Sequence, residues 1–186
     1  MTTKKPRTVL YRRKRENKTN YTKRLRILSS KKSRLAVRFS NQKIYAQIID
    51  FTTKGDKVLV GMDSSKLKEF GWNYSYKNIP AAYLTGLLFG KKVLETGKKE
   101  AIFDIGKTYP SYKGKIYAFL KGVIDSGMDI PHGTEEIFPS EERLSGKHIK
   151  EYAAKAGEKF TKYLKNNAQA VKISEVFEQV KQKIKG

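Results

Sequence analysis

Positive charge is concentrated in the first fifth of this chain. Residues 1–38 contain 15 Lys and Arg side chains and one acid, Glu16, so they carry +14 of the formal net charge of +22. Residues 1–19 have few apolar side chains and cannot pack by themselves, so this arm is expected to gain order from a partner. Because the charge excess causes self-repulsion, we expect that partner to be a polyanion. Nucleic acid is the first candidate and an anionic membrane surface the second.

The composition narrows the class of protein. The 186 residues suit one globular domain with an extension, and 38% of them are hydrophobic, which suffices for a core in part of the chain. The absence of cysteine excludes disulfides, thiol catalysis and cysteine-based metal sites, and it fits a reducing compartment. No apolar run suits a secretory signal or a membrane span of about 18 residues, so neither is expected.

Three short strands are predicted after the arm. Leu35, Val37 and Phe39 alternate with Ala36 and Arg38, which is the period of a half-buried strand. The second and third strands are predicted over residues 44–51 and 58–62. Short turns join the three strands, so the pattern indicates an antiparallel meander.

A helix and a fourth strand are predicted next. Asn78 is a suitable N-cap and Gly97 a suitable residue after the last turn, with a leucine-rich core stripe between them. Within this helix, Gly86 and Gly90 indicate close packing of the helix on the sheet. Residues 101–105 form a short apolar run that predicts a buried strand. A strand after a crossover helix favours a mixed sheet, with a right-handed connection wherever pairing is parallel.

The remaining chain is predicted to be mostly helical. Further helices are expected between Ser111 and Gly127, over residues 147–165 and over residues 174–184, with a polar loop at 128–146. We predict an α/β fold in which a mixed sheet is packed with helices. The sheet combines a three-stranded antiparallel meander with a further strand after a crossover helix. The predicted parts are a basic arm with a short helix at 1–33, a mixed α/β core at 34–127, and a polar loop with a C-terminal helical extension at 128–186.

Two segments have the chemistry of an RNA-binding surface. Residues 11–15 and 18–26 combine cations, tyrosines and small hydrogen-bonding side chains, which bind phosphates, stack on bases and contact 2′-hydroxyls. A solubilising tail or a localisation signal is the alternative for this arm. Residues 106–115 lie between a predicted strand and helix, where backbone N–H groups meet phosphates. An ordinary capped loop is the alternative there, and no P-loop motif occurs in the chain.

Enzymatic sites are poorly supported. The two histidines, His132 and His148, lack the spacing of a zinc site. Six acidic residues between 125 and 142 suit a solvated face or a patch for a basic neighbour better than a Mg²⁺ site. Asp104 on a predicted strand is compatible with a carboxylate nuclease, but no partner carboxylate is placed beside it. We therefore predict a protein that is not an enzyme.

An ordered set of stretches resembles one known family. The chain is similar to the archaeal and eukaryotic branch of the universal 5S-rRNA-binding protein family of the large ribosomal subunit, and the archaeal form fits its length best. The matching stretches are Arg12–Arg13 through Tyr21 with Arg24, Val37–Asn41, Ile44–Ile49, Tyr109–Gly114, Asp129–Gly133 and Phe138–Arg143.

The resemblance implies a structural role in the ribosome. It implies binding of 5S rRNA and docking of that RNA to 23S rRNA in the central protuberance, beside the other 5S-binding protein and further large-subunit proteins. It also implies a cytoplasmic, ribosomal location, no membrane or small-molecule substrate, and no cofactor, with structural Mg²⁺ only through the RNA. The predicted RNA-binding residues are Arg7, Arg12, Arg13, Arg15, Lys18, Thr19, Asn20, Tyr21, Lys23, Arg24, Arg26, Lys31, Lys32, Arg34, Arg38, Ser40, Asn41, Lys107, Tyr109, Tyr112, Lys113 and Lys115.

Overall fold

A four-stranded mixed sheet organises the fold. The computed structural model describes residues 9–155, 160, 163 and 168–186. Strands β1 to β3 form the predicted antiparallel meander, and β4 pairs with β1 in parallel, which gives the order β3-β2-β1-β4. The predicted mixed sheet is therefore confirmed. The strands are β1 (Arg34–Phe39), β2 (Ile44–Thr52), β3 (Gly55–Asp63) and β4 (Ile102–Asp104).

Alternation along the strands gives the sheet two different faces. On β1, Leu35 and Val37 are buried in the apolar core, and on β2 Ile44, Ala46 and Ile48 join them. Successive side chains of a strand point to opposite faces. The other face therefore presents Arg34, Ala36 and Arg38 from β1, with Asp104 of β4 paired in register with Ala36.

The helices that follow the meander cover the apolar face. A 3-10 helix (Ser64–Phe70) was not predicted and leads to the segment that contains the buried Trp72. The long helix predicted after Asn78 is confirmed, because the Asn78 side chain accepts a hydrogen bond from the Ala81 amide at 2.8 Å and Gly97 has a φ of 79°. Together with the arm helices described below, the α-helices in chain order are α1 (Arg12–Arg15), α2 (Tyr21–Ser29), α3 (Ile79–Glu95), α4 (Lys115–Asp125), α5 (Glu141–Leu144), α6 (Lys147–Lys155) and α7 (Ile173–Lys185).

The glycines of α3 permit close packing against α4 rather than against the sheet. A Cβ atom added to Gly86 would lie 2.1 Å from the carbonyl oxygen of Phe119, and one added to Gly122 of α4 would lie 2.1 Å from that of Tyr83. At Gly90 the added atom would meet the Ser126 side chain. The spacing of the small residues correctly predicted that another element packs closely on α3. The predicted element was the sheet, and this part of the prediction was wrong.

Several predicted boundaries differ from the structure. Strand β3 begins at Gly55, three residues before its predicted start, and α5 lies inside the loop predicted at 128–146. Helix α4 begins at Lys115, and its N-cap is Gly114, three residues after Ser111. The reason is a tight turn in which the Gly114 amide donates to the Ser111 carbonyl at 3.0 Å and Lys113 has a φ of 52°. The helix predicted to begin at 147 is α6, which ends at Lys155. Most of the predicted remainder, to residue 165, lies outside the described residues.

The C-terminal helix α7 belongs to the same apolar core as the sheet. It buries Ile173, Phe177, Val180 and Ile184. The ring of Phe177 lies 5.7 Å from that of Tyr83 on α3, measured between centroids. The helix predicted at 174–184 is thereby confirmed, and its apolar stripe explains why it packs on α3.

We predict that Gly86→Ala lowers the free energy of unfolding by about 2–4 kcal/mol, because the new methyl group must push α4 away from α3. Gly133→Ala is the matched control, since an added Cβ atom there has no neighbour within 4 Å. Urea denaturation of both variants measures the difference. If both variants unfold at the same urea concentration, the contact between α3 and α4 is not tight.

Candidate nucleic-acid interface

The arm lies on the polar face of the sheet, opposite α3 and α4. Helix α2 starts at the predicted cap, where the Asn20 side chain accepts a hydrogen bond from the Lys23 amide at 3.0 Å. No residue of α1 or α2 is fully buried, and Leu25 is 70% exposed. Ile27 and Leu28 are half-buried, so apolar burial of this helix is limited and charged contacts add to it.

One carboxylate, that of Asp56, attaches the arm to the sheet, and a second, that of Asp104, extends the network within the sheet. Nη2 of Arg24 on α2 lies 2.9 and 2.8 Å from the two oxygens of Asp56, at the start of β3. Arg34 of β1 donates to the same carboxylate at 2.7 Å through Nη2. Through Nη1, Arg34 also donates to Asp104 of β4 at 3.2 Å. Charge-assisted hydrogen bonds of this kind are stronger than neutral ones, so they fix the arm on β3 and link β3 to β1 and β4.

Asp104 lies at the base of the interface and pairs with two arginines of β1. It is 6% exposed. Its Oδ1 accepts from the Gly106 amide at 2.8 Å, and its Oδ2 also lies 3.3 Å from Nη2 of Arg38. Nη1 of Arg38 donates to the Asp104 carbonyl at 2.7 Å. The carboxylate therefore orients two guanidinium groups, which removes it as a free ligand for a catalytic metal.

A cationic cleft opens where the arm, β1 and the loop after β4 meet. It encloses about 110 Å³. The structure brings together here nine of the predicted RNA-binding residues, from the arm, the strand and the loop. The cleft is lined by Arg13, Lys18, Thr19, Asn20, Lys23, Arg24, Ile27, Arg34, Arg38, Asp104, Gly106 and Lys107. Residues from three separate segments thus form one concave, electropositive surface. Its electric field attracts a polyanion.

The loop after β4 extends the interface away from the cleft. Tyr109 is 93% exposed and Tyr112 is 60% exposed, so both rings are available for stacking. Nζ of Lys113 lies 5.6 Å from the centre of the Tyr112 ring. The loop and the Ser40–Asn41 turn leave the same end of the sheet, because β1 and β4 run in parallel. The Ser40 hydroxyl accepts from the Lys43 amide at 2.9 Å, which closes that turn.

Two predicted lysines have altered acidities. Burial lowers the pKa of the Lys115 ammonium group, and the charge of Lys77 lowers it further. A phosphate beside Lys115 would offset both effects. Lys32 forms an ion pair with Glu100 at 2.6 Å, and this hydrogen bond raises the pKa of Lys32. The charge of Lys32 is therefore neutralised by Glu100, and Lys32 does not line the cleft.

The other predicted residues lie outside the cleft. Arg12 pairs with Glu16 at 2.7 Å, and the ring of Tyr21 lies 5.5 Å from that of Tyr11. Arg15, Arg26, Lys31 and Asn41 are exposed, and Arg7 lies outside the described residues. Their contacts with RNA stay predictions.

Sequence reasoning missed the carboxylates of the interface. Asp56 was assigned only to a turn, and Asp104 was considered only as a nuclease candidate. Both pair with arginines 22 to 70 positions away. A signal was present in the Asp56 position, since an acid directly after Lys54–Gly55 in a strongly basic face is a natural partner for arginine.

The described residues do not support a metal site or a membrane span. They contain no group of three or more side chains that could hold a metal ion. Among the helices described, none is long and apolar enough to cross a membrane. Nδ1 of His132 donates to the carbonyl oxygen of Ile130 at 2.8 Å, and burial lowers the pKa of His148.

Fold and interface define a class: a basic α/β protein whose arm and sheet together form a cationic surface. Comparison with known proteins gives the family. Residues 6–101 match the family model of the ribosomal large subunit proteins 60S L5 and 50S L18. The large ribosomal subunit protein uL18 of Korarchaeum cryptofilum is 46% identical over 95% of this chain and 93% of its own length. The uL18 protein of Methanosphaera stadtmanae is 44% identical over the same shares.

The chain belongs to this family of large-subunit ribosomal proteins. Its role is therefore that of a structural constituent of the ribosome, in the cytoplasm, and its partners are ribosomal. Proteins of this family are not known as enzymes, in agreement with the expectation from the sequence. The resemblance to the archaeal branch is confirmed by the two archaeal relatives.

We predict that Asp104→Asn lowers the free energy of unfolding by about 3 kcal/mol, because Arg34 then loses one of its two carboxylates in a buried site. Glu69→Gln is the control, since its exposed pair with Lys66 at 2.8 Å contributes little. Urea denaturation at neutral pH measures both variants. Equal stability of the two variants would show that the pairing of Asp104 with Arg34 does not stabilise the sheet.

Proposed function

We propose that this protein binds 5S rRNA and helps to dock it to 23S rRNA in the central protuberance. The cleft between the arm and the sheet carries the proposal, because it joins predicted RNA-binding residues of three segments into one cationic surface. Family membership supports a ribosomal RNA as the polyanion. The neighbouring large-subunit proteins, including the other 5S-binding protein, are proposed as further partners.

Recognition would combine charge with RNA shape. The cations of the cleft and of the arm would neutralise backbone phosphates and release counterions, which makes binding strongly salt-dependent. The exposed rings of Tyr109 and Tyr112 would stack on unpaired bases. The Ser40–Asn41 turn and the loop after β4 would contact the RNA at the end of the sheet that they share. No cofactor is needed in this scheme, and structural Mg²⁺ would enter only with the RNA.

The residues of α1 and α2 contribute to the interface without contributing to the core. None of them is fully buried. Their loss would therefore remove RNA contacts and leave the apolar core between the sheet and α3 in place. This separation makes the arm suitable for a truncation test.

Competition between polyanions tests the proposal. The purified protein, bound to labelled 5S rRNA at moderately high salt, is challenged with tRNA, heparin and anionic vesicles. We expect 5S rRNA to stay bound, because shape-dependent contacts persist when screening weakens the general attraction. If every polyanion displaces it equally, charge alone accounts for binding and the protein does not select 5S rRNA.

We predict that deleting residues 1–26 weakens 5S rRNA binding by at least about 100-fold at moderate salt, because most phosphate contacts come from the arm. The far-ultraviolet circular dichroism of the sheet and of α3 is expected to persist. Fluorescence anisotropy with labelled RNA measures the affinity, and thermal unfolding checks the fold. Unchanged affinity of a folded truncated protein would show that the arm is not part of the RNA-binding surface.

A further inference from the structure

The cleft between the arm and the sheet has the dimensions of a site for one compact anion. Its volume of about 110 Å³ exceeds the roughly 10–15 Å³ that one water molecule requires. Seven Lys and Arg side chains line it against a single carboxylate, that of Asp104. A concave space with this excess of cations favours an oxyanion over a neutral or cationic ligand.

Three cations at the cleft have only neutral acceptors among the described residues. Nζ of Lys23 donates to the Gly106 carbonyl at 3.2 Å, and Nε of Arg13 donates to the Thr19 hydroxyl at 2.9 Å. Lys107 donates to the Asn17 side chain. In the described part of the chain, none of these three cations lies within 4.0 Å of a carboxylate. Their charges are therefore held in place but not neutralised.

A buried donor in the wall of the cleft also lacks an acceptor. Arg34 is 4% exposed, and its two Nη atoms donate to Asp56 and Asp104. Its Nε has no hydrogen-bond partner among the described residues. Buried donors without acceptors are costly and uncommon, so this one is a second indication that an acceptor belongs in or beside the cleft.

The cations approach the cleft from two sides. Arg13 and Lys23 belong to the arm, whereas Arg38 belongs to β1 and Lys107 to the loop after β4. Guanidinium and ammonium groups converging on one point match the several acceptor oxygens of a phosphate. An anion held between them would also bridge the arm and the sheet.

We propose that this cleft binds one phosphate group of the RNA backbone and that this phosphate joins the arm to the sheet. The proposal rests on the proposed function and adds the site within it. The phosphate takes hydrogen bonds from Lys23 on the arm side and from Lys107 on the loop side. Because these two lysines share one phosphate, their contributions to RNA binding are coupled.

The test is a double-mutant cycle with Lys23→Gln, Lys107→Gln and the double variant. Lys92→Gln is the matched control, because Lys92 is exposed on α3, on the other side of the sheet. The affinity of each full-length protein for 5S rRNA is measured by fluorescence anisotropy over a series of KCl concentrations. Thermal unfolding confirms that each variant is folded.

We expect each single variant to weaken binding about tenfold, as for the loss of a charged hydrogen bond. The slope of log K against log [KCl] should become shallower by about one. The double variant should lose little more than either single variant, since the same phosphate contact is already gone. Lys92→Gln should leave the affinity within about twofold.

Two results would overturn the proposal while leaving 5S rRNA binding itself intact. In the first, the two lysines lose binding affinity independently and the double variant lowers the salt slope by about two. The lysines would then contact different phosphates. The other is losses no greater than that of Lys92→Gln. Failure of the wild-type protein to prefer 5S rRNA in the competition experiment would instead reject the proposed function.

A titration of the free protein separates RNA phosphate from a free ion. Potassium phosphate is added against KCl at equal ionic strength, and the Nε–Hε nuclear magnetic resonance signals of Arg13 and Arg34 are followed. A saturable shift that Lys107→Gln weakens supports a phosphate site, provided that the variants also lower the RNA salt slope. A saturable shift with unchanged RNA binding would assign the cleft to a free ion and reject the RNA site.

Discussion

The buried guanidinium of Arg34 holds the interface together. It donates to Asp104 of β4 at 3.2 Å and to Asp56 of β3 at 2.7 Å, and Asp56 in turn accepts from Arg24 of the arm. One side chain of a central strand thus connects the two edge strands and the helix that lies on them. Removing one member of such a buried network leaves a charge without its partner, which costs more than the lost contact itself. The positions of Arg24, Arg34 and Arg38 at the cleft depend on this arrangement.

A face with so much positive charge needs internal acids to keep its shape. In a free protein the cations of the arm would repel those of the sheet, and no residue of α2 is fully buried to hold that helix in place. Asp56 and Asp104 offset that repulsion at the points where arm and sheet meet, and Glu16 does so at the end of α1 through Arg12 and Lys18. These acids reduce the attraction for a polyanion slightly. They also orient the arginines in advance, which lowers the entropy lost when RNA binds.

Local patterns predicted the elements of the fold, whereas long-range pairing decided the details of the site. The alternation around Leu35 and the caps at Asn78 and Gly97 act within a few residues, so they were visible in the sequence. The partner of Gly86 was not, because a small residue indicates a close approach without naming the neighbour, which proved to be α4. The partners of Arg34 were not visible in the sequence either, and its positive charge alone predicted a contact with RNA. Its burial follows from the parallel pairing of β1 with β4, which brings Asp104 beside it from 70 positions away. Convergence of the arm, β1 and the loop on one cleft likewise requires the assembled sheet.

The two faces of the sheet have different roles, one in the cationic interface and the other in the apolar core. The polar face holds the arm and the cationic cleft, and the apolar face is sealed by α3, α4 and α7. The family model covers residues 6–101, yet the archaeal relatives match 95% of the chain, so most of the segment after residue 101 is shared with them. The structure supplies a physical reason. Phe177 packs on Tyr83, and Nζ of Lys91 on α3 donates to the carbonyl of Ile184 at 3.0 Å, which satisfies the C-terminal end of α7. Because α7 completes the core beneath α3, it supports the sheet on which the interface is built, even though it lies on the side away from the cleft.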